Sequence, residues 1–263
     1  MQVESPLIIK RDGGVLSLVI NDAPWNRMSF AYMDALEAAL EDAAADPTVR
    51  ALVFTAAAEA NFSVGMDLKQ VMREGAARGG WDAVLDQRQR VLARIESLQK
   101  PSIATLFGYC LGGGLELPLA CHFRLAADQG AQIGLPEMDL GTVPAWGGTA
   151  RLTRCVGRDR ALDMILRARK IDGREALRIG LVHAVHPLAD LKAAALSLAH
   201  ELAEKPPLAV AGVLRCVVGS EALPLADALA EERRAFRVCA ASEDQAEGML
   251  AFAEKRKPTF RGV

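Results

Sequence analysis

Short apolar runs alternate along the first half of the chain with longer stretches whose apolar residues recur at three- and four-residue steps. Leu7 to Lys10 and Val15 to Asn21, separated by Asp12-Gly13-Gly14, carry β-branched residues and predict a hairpin-like pair of strands that ends at Pro24. Ser29 can cap a helix running to about Ala45. Met33, Leu36 and Leu40 would form its apolar stripe, and Asp34, Glu37 and Glu41 would face outward. Ala51 to Thr55 is apolar almost throughout, as a strand covered on both faces would be. Residues 69 to 98 are helical in pattern but interrupted by Gly75 and Gly79-Gly80, with Trp81 just after, as in a segment able to act as a mobile cover. The repeated strand and helix predict an α/β fold.

The chemistry concentrates between Lys100 and Gly148. An apolar run, Ile103 to Tyr109, meets the glycines Gly112 to Gly114 and continues as LELPLA, with Leu115 and Leu119 four apart: strand, glycine turn, helix start. Free N–H groups and the positive end of the helix dipole suit an anion there, whether a phosphate or an oxygen that becomes negative during reaction. The spacing matches neither GxxxxGK[ST] nor GxGxxG, which disfavours a nucleotide-phosphate cradle. Glu116 lies two residues past the glycines, and Glu137 sits inside GLPEMDLG. Each feature has a plain structural alternative: tight packing for the glycines, dipole complement for Glu116, loop surface for Glu137. Apolar flanks favour chemistry, with Leu115, Leu117 and Leu119 around one carboxylate and Leu135, Met138 and Leu140 around the other. Together these residues outline an oxyanion donor beside a pair of acid/base groups.

Beyond this stretch, Arg158 to Arg169 read as an amphipathic helix through Leu162, Ile165 and Leu166. From Leu188 onward alanine-rich helices are broken at Pro206-Pro207, Gly219 and Pro224. This places a boundary near Leu191, dividing the chain into 1–191 and 192–263. Apolar residues of the last helices, among them Leu223, Leu225, Leu229, Phe236, Met249, Leu250 and Phe252, exceed what a short terminal region can bury by itself. Thirty-one basic residues stand against 33 acidic ones, so no charge bias toward nucleic acid or an anionic membrane appears. No apolar run approaches the about 18 residues of a membrane helix. Five widely spaced cysteines without a CxxC pair read as free thiols in a reducing compartment, and no secretory signal is evident, so the cytoplasm is expected. His183 and His186 stand three apart without HExxH or clustered Cys or Asp; no metal site is expected.

Four segments between residues 100 and 157, KPSIA, GYCLGGGLELPLAC, GLPEMDLGTVP and GGTARLTRCVG, closely resemble the crotonase (enoyl-CoA hydratase/isomerase) family. The similarity continues in NFSVGMDL at 61 to 68, REALRIGLVHAV at 174 to 185 and EGMLAFAEKRKPTF at 247 to 260. This resemblance implies a spiral of ββα turns for residues 1–191 and a helical trimerisation region for 192–263, with trimers often paired into hexamers. It implies an acyl-CoA thioester as substrate, no separate cofactor, and Glu116 and Glu137 as the catalytic pair of an enoyl-CoA hydratase. Isomerase, hydrolase or decarboxylase chemistry on the same enolate is the alternative. The backbone N–H groups of Met66 and Gly113 would form the oxyanion hole. The adenine would lie against the backbone of Val64 and Met66, with Lys69 near the phosphates and Lys255 reaching in from a neighbouring subunit. This chain departs from the family pattern in the larger Val64 and Met66, in Pro118, in His122 where Asp is common, and in an Asp128–Gly130 segment one residue longer.

Overall fold

The computed structural model describes residues 5–220 and 222–263. Strands β1 (Leu7–Asp12) and β2 (Val15–Ile20) form the expected hairpin, with Asp12 opposite Val15 and a positive φ at Gly13 turning the chain. After the short β3 (Arg27–Met28), the Ser29 side chain accepts from the Tyr32 N–H and starts helix α1 (Phe30–Ala45). Its buried face contains Met33, Leu36 and Leu40, as the spacing predicts. The three acids expected to face outward stand on the partly exposed side of the helix and meet arginines there: Asp34 pairs with Arg78, Glu37 with Arg90 and Glu41 with Arg94.

The chain then repeats one circuit. Strand β4 (Ala51–Ala56) leads to β5 (Gly65–Met66), and Asp67 caps α2 (Leu68–Glu74) by accepting from the Gln70 N–H. A 3-10 turn, Gly75–Arg78, joins α2 to α3 (Gly80–Glu96). Next come β6 (Ser102–Leu106), β7 (Tyr109–Leu111) and α4 (Gly113–Ala120). The single run expected from Ile103 to Tyr109 is therefore two strands. It breaks at Gly108, whose φ is +53° and where any Cβ would collide with the Ala60 carbonyl oxygen. Strands β8 (Phe123–Ala127) and β9 (Gln132–Gly134) precede a 3-10 turn at Pro136–Leu140 and helices α5 (Gly148–Val156) and α6 (Arg158–Leu166). In α6 the core-facing residues are Ala161 and Met164. Leu162 and Leu166, which the spacing predicts on its apolar stripe, are exposed. Helix α7 (Gly173–Arg178) and β10 (Ala184–His186) complete the spiral.

Six strands make one sheet in the order β1-β2-β4-β6-β8-β10, antiparallel at the first pair and parallel thereafter. The short strands pair separately as β3 with β5 and β7 with β9, and a bridge from Ser63 to Cys110 joins the two pairs. Each circuit thus adds one strand to the large sheet, one to the small layer, and a helix. This is the expected ββα spiral, and it explains why β4 and β6 read as nearly continuous apolar runs: both faces are covered.

Helix α8 (Leu188–Ala203) lays Leu191, Ala195 and Ala199 against the sheet. The boundary expected near Leu191 falls inside this helix, and by packing the core extends through α8. Helices α9 (Pro207–Val218), α10 (Leu225–Ala240) and α11 (Glu243–Glu254) follow, with α9 on α10 and α10 on α11. They leave much apolar surface open, including Leu225 at 74% and Phe252 at 83% exposure. All five cysteines are free thiols.

Candidate active site

The spiral brings the ends of the small layer against the start of α4. Of the three successive glycines only Gly112 has a positive φ, +55°. The other two are required by close approach rather than by backbone conformation. A Cβ on Gly113 would collide with the indole of Trp146, and one on Gly114 with the carbonyl oxygen of Ser63. Gly65, with φ +87°, faces the same point, since a Cβ there would lie 2.9 Å from the Gly113 nitrogen. Backbone at 65–66 and at 113 is therefore in contact. Gly113 opens α4, so its N–H has no carbonyl within the helix to bond and stays available to an anion. Met66 and Val64 are half-buried at this junction, whereas Lys69 is exposed on α2.

A buried polar scaffold fixes the Gly65 side. Asn26, which takes a positive φ, donates from Nδ2 to the Asn61 carbonyl, and Ser63 Oγ donates to the Asn26 carbonyl while accepting from the Gly65 N–H. Asn61 in turn donates to the Pro24 carbonyl and accepts from the Tyr109 N–H. Every one of these groups finds a partner, which holds the loop rigid.

Glu116 projects from the first turn of α4 and is 2% exposed. Its Oε1 accepts two backbone hydrogen bonds, from the N–H of Trp146 and the N–H of Gly148, both at 2.8 Å. Gly148 must be glycine for this grip, because a Cβ would lie 2.8 Å from that same oxygen. Arg151 braces the donor loop, donating to the Trp146 carbonyl and pairing with Glu96. Burial pushes the Glu116 carboxyl up to about 7. The two N–H groups and Arg151 work against that rise, and the nearby charge of Glu137 adds to it.

Glu137 stands in the 3-10 turn after β9, with its Oε1 so close to Gly112 that a Cβ there would be 2.8 Å away. Burial raises its carboxyl as well, and Oε2 is enclosed without a hydrogen-bond partner. Two carboxyls with raised affinities for a proton thus flank the N-terminus of α4, beside the contact between Gly65 and Gly113. Such a site can hold a small polar molecule between the carboxyls and stabilise charge that develops on an oxygen at the backbone amides.

The structure gathers Glu116, Glu137, Gly113, Met66 and Val64. Lys255 is exposed and ends α11 in the left-handed conformation. Sequence reasoning missed Trp146, Gly148 and Arg151, which grip and brace Glu116, and the Asn26-Asn61-Ser63 scaffold. The WGG glycines were the available signal for the first group. His122 bonds Ser102 through Nδ1 and through its own N–H, and burial depresses it to about 4. Among the described residues there is no metal-holding cluster of His, Cys, Asp or Glu, and no helix long and apolar enough to cross a membrane.

A family model described as enoyl-CoA hydratase/isomerase matches residues 10–263. A probable enoyl-CoA hydratase of Bacillus subtilis (strain 168) is 38% identical over 254 residues, 95% of this chain and 96% of that protein. The 2,3-dehydroadipyl-CoA hydratase of Escherichia coli (strain K12) is 38% identical over 259 residues, covering 98% of this chain and 99% of the relative. The crystal structure of an enoyl-CoA hydratase from Bacillus anthracis superposes with a TM-score of 0.92 at 32% identity, over 98% of this chain and 100% of that one.

Proposed function

The chain belongs to the enoyl-CoA hydratase/isomerase family, and we propose that within it this protein is a hydratase, adding water syn across a 2,3-enoyl-CoA to give a 3-hydroxyacyl-CoA. The observation that carries this reading is the presence of two carboxyls, Glu116 and Glu137, at one backbone amide pocket, both pushed toward holding a proton. A double-bond shift can be run by one base; hydration has a water to deprotonate and an α-carbon to protonate.

In the proposed reaction the thioester oxygen lies at the N–H groups of Met66 and Gly113. Water, held between the two carboxyls, loses a proton to one of them as its oxygen bonds the β-carbon. The π electrons move to the α-carbon and onto the thioester oxygen, where the two N–H donors stabilise the enolate, each worth on the order of 3 kcal/mol if lost. The second carboxyl then gives its proton to the α-carbon and the thioester carbonyl reforms. One proton shared by the pair is the starting state, because two negative charges in a small desolvated site disfavour double ionisation. CoA is part of the substrate, and no further cofactor is needed. Val64 and Met66 would flank the adenine, Lys69 would approach the phosphates, and Lys255 would come from a neighbouring subunit. The exposed apolar faces of α9 to α11 support a trimer or a pair of trimers, and the free thiols support a cytoplasmic location.

Single changes Glu116→Gln and Glu137→Gln test the pair. Each should lower kcat about 100-fold or more, with the double variant little worse, since groups acting as a unit are not additive. Full turnover in Glu137→Gln with none in Glu116→Gln would replace hydration by one-base isomerase chemistry.

A further inference from the structure

Arg88, on α3, is 1% exposed and lies at the seam between α1, α3 and the Trp146 loop. Its guanidinium carbon stands 5.1 Å from the centre of the Phe30 ring and 6.0 Å from that of Trp146. Nη1 donates to the side-chain oxygen of Gln87, whereas Nε and Nη2 are enclosed and have no hydrogen-bond partner. The carboxylates nearby are engaged elsewhere: Asp34 with Arg78 and Gln87, Glu37 with Arg90 and Gln87. Burial lowers the guanidinium to about 10, which leaves it a cation at neutral pH.

A buried cation with empty donors is costly, and its contacts with two aromatic faces offset only part of that cost. The identity of the empty donors is informative. Nε–H and Nη2–H lie on one edge of the guanidinium, parallel and spaced to match the two oxygens of a carboxylate. This same edge binds Asp22 from Arg27 and Glu175 from Arg178 elsewhere in the protein. In Arg88 it is unfilled. The location connects it to the reaction site, since the Trp146 indole that Arg88 approaches is also the group against which Gly113 packs. A single side chain therefore separates the amide pocket from the guanidinium. Helices α2 and α3, the second of which carries Arg88, meet through the Gly75–Arg78 turn and Gly79, which takes a positive φ.

We propose that Arg88 is a carboxylate receptor for the far end of the acyl group, so that the preferred substrates are enoyl-CoA thioesters whose chain ends in a carboxylate. This rests on the acyl-CoA reading above and adds the chemical class of the acyl tail. The tail carboxylate would accept from Nε–H and Nη2–H, with its alkyl stem running along the Trp146 ring. A neutral tail of the same length would leave both donors empty. A charge-assisted pair of bonds at a buried site sets the expected discrimination at about 30-fold.

The test is calorimetric binding of two saturated six-carbon thioesters, adipyl-CoA with a terminal carboxylate and hexanoyl-CoA without one, to the full-length protein. Wild type should bind adipyl-CoA about 30-fold more tightly, and in Arg88→Met the ratio should fall to about threefold or less. Arg88→Lys, which keeps the charge but not the forked edge, should fall between them, and it serves if Arg88→Met does not fold. Equal affinities in wild type, or a ratio unchanged in both variants, overturn the proposal. Turnover of the matching 2-enoyl-CoA pair separates the two readings. Hydration of both chains without preference would retain the hydratase and discard the receptor. Tighter adipyl-CoA binding that depends on Arg88, without hydration of either chain, would do the reverse.

Discussion

Replacing Glu116 by Gln should make the protein more stable at neutral and alkaline pH while removing its chemistry. The carboxyl is buried and its proton affinity is raised from the ordinary 4.5 to about 7. A group whose folded value lies above its unfolded value contributes stability that is fully present below the unfolded value and is lost as pH rises through the folded one. The window here runs from about pH 4.5 to about pH 7. The difference of 2.5 between those values, at 1.36 kcal/mol each, makes the ionised wild-type group cost about 3 kcal/mol relative to its protonated form. Gln is neutral at every pH and keeps an acceptor for the N–H groups of Trp146 and Gly148. Urea unfolding of both proteins between pH 4.5 and pH 8 follows the effect, because the titrating groups outside the coupled Glu116–Glu137 pair are shared. The stability of Glu116→Gln minus that of wild type should grow by about 3 kcal/mol as pH rises across the window. A flat difference, or one that shrinks with pH, would refute the assignment of Glu116 as a carboxyl kept protonated by burial.

Gly113→Ala should cost about 1–3 kcal/mol of stability in thermal or urea unfolding, because its Cβ meets the buried Trp146 ring; an unchanged midpoint would contradict the close packing. Arg151→Met should lower kcat more than it raises KM, since it loosens the loop that grips Glu116; a pure KM effect in steady-state kinetics would argue for substrate contact instead. Lys255→Ala should raise KM for the acyl-CoA and reduce its salt dependence, with little change for the pantetheine analogue; equal effects on both substrates would remove Lys255 from the phosphate site. Truncation after Ala203, beyond the last helix of the core, should give monomer or aggregate by light scattering, and a folded trimer from it would sink the oligomer reading.

Much of this architecture was legible because periodicity and punctuation agree. Ser29 starts α1 as a cap should, Asp12-Gly13-Gly14 turns the hairpin, and Glu116 and Glu137 carry apolar neighbours on both sides. Two kinds of information were not written locally. The donors to Glu116 are backbone N–H groups at residues 146 and 148, about thirty positions away, and a backbone donor has no side-chain signature. Burial of a charge is likewise invisible: Arg88 sits in a helix rich in Gln and Arg, where a solvated face is the ordinary expectation, and only the packing of Phe30 and Trp146 encloses it. The same packing hides the reason for Gly113 and Gly114. Three glycines in a row suggest unusual φ angles, but two of them are helical and are needed for the space they leave. The boundary near Leu191 followed composition, whereas burial of Leu191, Ala195 and Ala199 assigns α8 to the core.

The central claim is that two carboxyls together add water across a conjugated double bond. It is tested most directly by incubating a 2-enoyl-CoA with the enzyme in D2O and reading the product by NMR and mass spectrometry. Wild type should yield a 3-hydroxyacyl-CoA carrying one deuterium at C2, placed syn to the new hydroxyl, and the Glu116→Gln, Glu137→Gln double variant should yield almost none. A product with a shifted double bond, released CoA, or undiminished hydration by the double variant would contradict the account.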